Sequence, residues 1–178
     1  NLKTSSQEIN TTLNLSLQKI LERHVQSYIE KNKKIGLHNA SALLLDYRTM
    51  FVKAAVGSVD FFSQEINGQV NGIKAKRSPG SALKPFVYAL AIDQGLIHPM
   101  TLLKDTASSF GGYDPENFDH EFLGPISAHD ALIKSRNIPA VALASQLRDP
   151  TLYEFYQSAE ISKLREPQFY GLSTALGG

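Results

Sequence analysis

The chain has 178 residues, 42% hydrophobic and 20% charged, with 18 Lys and Arg against 17 Asp and Glu. This is about one domain's length with a sizeable core, without the charge excess that nucleic acid or an anionic membrane selects. No apolar run approaches the roughly 18 residues needed to cross a bilayer, so the chain reads as soluble. Cysteine is absent, which excludes disulfides, thiolate catalysis and Cys-based metal sites. The five scattered His form no H-E-x-x-H or similar pair, so no metal or cofactor is expected. A start at Asn1 without Met and an end in "GLSTALGG" suggest a piece of a longer protein.

After an extended "INTTL", Asn14 is placed to cap a helix whose stripe is Leu17, Ile20, Leu21, Val25, Tyr28 and Ile29, with Lys31, Lys33 and Lys34 at its C-terminal end. "ASALLLDY" and "MFVKAAVGS", joined through "YRT", predict a β-hairpin. From Asp60 to Lys76 the Gly and polar residues predict a loop.

The next stretch, "KRSPGSALKPFVYALAIDQG", predicts a helix that starts close to Ser81, because Pro85 has no amide hydrogen and is tolerated only near the first turn. Leu83, Val87, Leu90 and Ala91 form one face, and Ser81, Lys84 and Tyr88 line another. "SSFGGYDPENFDHEFLGP" is a long Gly/Pro/Asp-rich loop carrying Phe110, Tyr113 and Phe118, for which packing is the first expectation. Ser127 with Asp130 then imitates a capping box for a short helix through Leu132 and Ile133, and another helix starts near Pro139. "KSRN" lies between these two helices.

Ser-x-x-Lys at a helix start has a specific logic. Backbone amides aim near the Ser81 oxygen, and the Lys84 amine one turn later can reach it, provided that burial or a neighbouring positive charge keeps that amine neutral. The plain alternative is a solvated Lys84 and a capping Ser81. In "SRN", Ser135 and Asn137 point the same way if the turn is extended, and offer a hydroxyl for proton relay and an amide for a substrate peptide. Alternatively both cap helix ends. Tyr88 reads as core or groove lining, and Arg136 as a partner for a substrate carboxylate or a solvated charge. His98, His120 and His129 have no partner visible in the sequence.

The order Ser-x-x-Lys then Ser-x-Asn is that of penicillin-binding proteins and serine β-lactamases, whose third element is Lys-Thr-Gly on a strand. "RSPGSALKPFVYALAID", "YDPENFDHEFLGPISAHDALIKSRNIPAVALA" and "YGLSTALGG", together with "INTTLNLSLQ" and the hairpin, resemble the transpeptidase domain of class A penicillin-binding proteins over nearly the whole chain. The resemblance implies an α+β fold of the penicillin-binding protein and serine β-lactamase type, an antiparallel sheet flanked by helices plus an all-helical region. The whole span 1–178 would be the N-terminal part of that domain, lacking its later strands.

It further implies a D,D-transpeptidase that crosslinks peptidoglycan stem peptides and is acylated by β-lactams. Ser81 would be the nucleophile, Lys84 its base, Ser135 the proton relay and Asn137 the holder of the donor peptide. No Lys-Thr-Gly or Lys-Ser-Gly occurs in these residues, so the chain alone is expected to be inactive, with an open sheet edge. An upstream membrane anchor and glycosyltransferase domain outside this chain, an extracytoplasmic location and cell-wall synthesis partners follow from the same resemblance. The competing readings are a binding or scaffolding module with little turnover and, with no recognisable deacylating Glu, a β-lactam hydrolase.

Overall fold

The computed structural model describes residues 9–160 and 165–178. The chain divides into two compact units, Asn1–Lys76 and Arg77–Gly178.

The first unit is a helix with a two-stranded antiparallel ribbon. Helix α1 (Leu15–Asn32) begins where expected, with the Asn14 side chain accepting from the Leu17 amide at 3.0 Å. Val25 and Ile29 of the predicted stripe are buried, whereas Ile20 and Tyr28 are exposed. Strands β1 (Ala42–Leu45) and β2 (Val52–Val56) pair Ala42 with Val56 and Leu44 with Ala54, and a bulge follows Leu44. The Gln18 side chain donates to Ala55 O and accepts from Ala55 N, serving β2 as a further strand residue would. Leu43, Leu44 and Leu45 remain exposed on this ribbon.

The second unit holds the main core. Its first helix, α2 (Lys84–Asp93), is entered through a 3-10 turn at Gly80–Leu83, and Pro85 falls in the first α-turn. Val87 and Ala91 are fully buried, and Leu83 and Leu90 of the predicted apolar face are buried with slight residual exposure. They pack with Ala131, Ala140, Val141 and Leu143 from α3 (Ala128–Ile133) and α4 (Asn137–Ala144). The small alanines let these helix backbones approach closely, which dispersion rewards. Helix α5 (Leu152–Ser158), absent from the sequence reading, is capped by reciprocal Thr151 and Glu154 bonds and packs Tyr156 against Phe86 at 6.2 Å, edge to face.

A second ribbon was also not anticipated: β3 (Leu102–Asp105) pairs antiparallel with β4 (Gly124–Ser127), Leu103 opposite Ile126. Pro125 in β4 is a residue that normally argues against a strand. Phe110 and Tyr113 of the intervening loop pack on the core as expected, whereas Phe118 stands 98% exposed. The chain continues through the one-turn helix α6 (Pro167–Tyr170) and a 3-10 turn at Gly171–Leu176. Gly177 then lies with φ +80° so close to Gly80 that an added Cβ would sit 2.3 Å from the Gly80 nitrogen. Only glycine permits that approach, and the Ser78 hydroxyl secures it by donating to Gly177 O at 2.5 Å. The C-terminal "GG" therefore braces the turn that presents Ser81.

Candidate active site

In a 3-10 turn, side chains three residues apart eclipse. The turn at Gly80–Leu83 thus brings Ser81 and Lys84 onto one line, and the Lys84 amide donates to Ser81 O. Ser81 is exposed and lines a cleft of about 420 Å³ with Asn117, Phe118, Lys134, Ser135 and Asn137. A larger cleft of about 460 Å³ in the first unit, around Gln18, Glu22 and Gln69, contains no basic side chain, so chemistry rather than size selects the site.

Lys84 is not the solvated charge of the plain alternative. It is 1% exposed, and its Nζ donates to Ser135 Oγ at 3.0 Å, Asn137 Oδ1 at 2.6 Å and Ser135 O at 2.5 Å. Burial, and then the positive charge of Arg136, lower its pKa from 10.5 to about 8. The three donors of an ammonium are all satisfied by neutral oxygens.

Ser135 and Asn137 reach Lys84 by a different route from the extended turn expected. Ser135 has φ +53°, the left-handed conformation, and ends α3 in a Schellman arrangement. The Arg136 amide donates to Ala131 O at 2.9 Å and the Ser135 amide to Leu132 O at 3.0 Å. Asn137 opens α4, two residues ahead of Pro139, but neither polar side chain caps a helix. Asn137 Nδ2 donates to Glu116 O at 2.6 Å, leaving its Oδ1 to face Lys84.

Arg136 is not the solvated charge of the plain reading: although it borders the same cleft, its guanidinium is engaged within the protein. It is 5% exposed; Nε donates to Asp105 Oδ2 at 2.7 Å, one terminal nitrogen to Asp119 Oδ2 at 2.7 Å and the other to Glu121 O. Burial works against its charge, but the hydrogen bonds it donates to the two carboxylates, together with their negative charge, outweigh it and push its pKa up. Asp119 is correspondingly held below the usual carboxylate range by the Arg136 hydrogen bond. Asp105 is fully buried and was overlooked in the sequence, as was Asn117, whose Nδ2 donates to Asp105 Oδ1 at 2.8 Å and whose Oδ1 accepts from the Asn137 amide at 2.8 Å.

Tyr88 is core. Its hydroxyl is buried with no hydrogen-bond partner among the described residues, and burial together with the Asp105 charge raises its pKa above the ordinary phenol range. It stays protonated at neutral pH. His120 pairs with Glu116 at 2.8 Å and His129 with Asp130 at 3.1 Å, both exposed, while His98 Nδ1 accepts from the Met100 amide at 3.4 Å. Among the described residues no group of His, Asp and Glu gathers to hold a metal ion.

A helix-start serine, a buried amine one turn on and a Ser-x-Asn turn facing them, in an α+β setting, define a protein of the penicillin-binding transpeptidase class. The penicillin binding protein transpeptidase domain family matches residues 40–175, and the chain belongs to it. Penicillin-binding protein 1C of Escherichia coli is 45% identical over 139 residues, 78% of this chain and 18% of that protein. Penicillin-binding protein 1F of Bacillus subtilis is 34% identical over the same shares. The chain thus spans about a fifth of the length of the curated relatives it matches. A solved structure of the transpeptidase domain of Burkholderia pseudomallei penicillin-binding protein 3 shares the fold, with TM-score 0.75 at 18% identity over 98% of this chain and 54% of that one.

Proposed function

We propose that this chain supplies the nucleophile half of a peptidoglycan D,D-transpeptidase, a serine acyltransferase of cell-wall synthesis that β-lactams acylate. The observation that carries the reading is the buried Lys84 amine, shared between Ser135 and Asn137, two residues that line one cleft with the exposed Ser81. In the reaction, Ser81 Oγ attacks the penultimate D-Ala carbonyl while its proton passes to the neutral amine of Lys84. Collapse of the tetrahedral adduct breaks the peptide bond, and Ser135 Oγ relays the proton from Lys84 to the departing D-Ala nitrogen. An acceptor amine then takes the acyl group from Ser81. Asn137 holds the donor peptide's backbone, and the Ser81 amide provides one donor to the oxyanion, a contribution of about 3 kcal/mol in comparable sites.

The remaining oxyanion donor and the grip on the substrate carboxylate are assigned to a Lys-[Ser/Thr]-Gly strand elsewhere in the intact protein. Stem peptides and β-lactams are its ligands on this reading, and the extracytoplasmic face of the bacterial cytoplasmic membrane is its place of action. The test is a tryptic digest of the full-length protein after exposure to labelled penicillin. Mass spectrometry is expected to find the penicilloyl group on Ser81; a folded protein with no adduct there, across several β-lactam classes, would refute the assignment.

A further inference from the structure

We propose that Asp105 and Arg136 are the positioning unit of this site, a buried ion pair that, with Asn117, sets the turn between α3 and α4 so that Ser135 and Asn137 receive the Lys84 amine. This rests on the acyl-transfer reading and adds residues that form no hydrogen bond with either Ser81 or Lys84.

The turn needs outside support. A non-glycine residue in the left-handed region is disfavoured, yet the side chain at that position must be serine if its hydroxyl is to meet Lys84. The Schellman bonds fix the turn only from the α3 side. From the other side, all three guanidinium nitrogens of Arg136 reach separate acceptors, on β3, on the loop at Asp119 and at the Glu121 carbonyl. Asp105 joins the same loop through the Leu123 amide at 3.1 Å and through Asn117, and Asn117 passes the alignment on to the Asn137 amide.

The residue between Ser135 and Asn137 is therefore anchored to the floor, and the residue after it is held from the loop. Replacing a buried ion pair by apolar residues of similar volume is often neutral or stabilising, so stability is a weak reason for placing one here. Direction is a better one, because the planar guanidinium fork fixes orientation as no ammonium can. The fixed charge of Arg136 also opposes protonation of Lys84.

The experiment compares wild type, Arg136→Lys and Arg136→Gln, with Thr151→Ala as a destabilised control, all in the full-length protein. Thr151 caps α5 and takes no part in the network. Active sites are titrated with labelled penicillin, and the acylation rate constant is measured per titratable site. We expect both Arg136 variants to lose at least 50-fold in that rate constant, with Arg136→Lys failing to rescue, while Thr151→Ala changes only the number of sites. Amide hydrogen exchange at Arg136 and Asn137 is expected to quicken at least tenfold in the Arg136 variants with the α4 interior unchanged.

Arg136→Lys acylating within threefold of wild type, or a loss confined to site number, would overturn the positioning role. The exchange measurement does not require acylation. If wild type itself is not acylated, the acyl-transfer reading falls, and unchanged exchange at those two amides would sink the positioning role separately.

Discussion

A lysine base leaves a distinctive pH signature, and Lys84 permits its size to be worked out. With its pKa lowered from 10.5 to about 8, the neutral fraction at pH 7 is about 300-fold larger than for an ordinary lysine, roughly a tenth of the molecules. The acylation rate constant of the full-length protein is therefore expected to climb almost tenfold between pH 6 and 7 and to level off above about pH 8. Stopped-flow mixing with a chromogenic β-lactam measures it directly.

The same shift has a stability consequence whose sign is fixed. The unfolded chain binds more protons than the folded one between about pH 8 and 10.5, so stability rises with pH across that window, by about 3 kcal/mol in all. Tyr88 and Tyr156, whose pKa values burial raises, act oppositely: their contribution is lost as pH climbs beyond the ordinary phenol value of 10.0. Acylation that is flat from pH 6 to 9, or still rising tenfold per unit at pH 10, would refute Lys84 as the base.

Ser135→Gly should stabilise the fold by about 1 kcal/mol, because glycine adopts the left-handed conformation freely, yet slow acylation at least 100-fold by removing the hydroxyl from Lys84; thermal unfolding and penicillin kinetics read the two effects separately. Phe118→Ala should leave stability within about 0.5 kcal/mol, since the ring is solvent-exposed, while raising the KM for β-lactams with aromatic side chains several-fold in steady-state competition assays. Leu143→Ala, in the α4 core, should cost about 3 kcal/mol in denaturant unfolding without altering the acylation rate per titratable site.

What the sequence disclosed and what it hid divide along physical lines. The cap at Asn14, the hairpin and the start of α2 were legible because each depends on residues a few positions apart, and Pro85 pins the last of them. Ser81, Lys84, Ser135 and Asn137 were legible as motifs, and the structure brings the last three together at hydrogen-bonding distance with Ser81 on the same cleft.

The β3–β4 ribbon was hidden, for its four-residue strands include Gly124 and Pro125 and are stabilised by a pairing across the long loop rather than by propensity. Helix α5 did carry a signal, "TLYE", which is a capping box before apolar residues. Nothing local announces that Arg136 will meet Asp105, thirty-one positions earlier, so a surface reading of that arginine was the natural error.

The three neighbouring leucines of β1 have a practical consequence. Successive strand residues point to opposite faces, so Leu43 and Leu45 offer grease on one side and Leu44 on the other. A short ribbon so decorated behaves as an unfastened zip: two copies meeting edge to edge would close on one another. Preparations of this chain by itself should accordingly clump as they are concentrated, and a mate strand laid along β1 would be the cure.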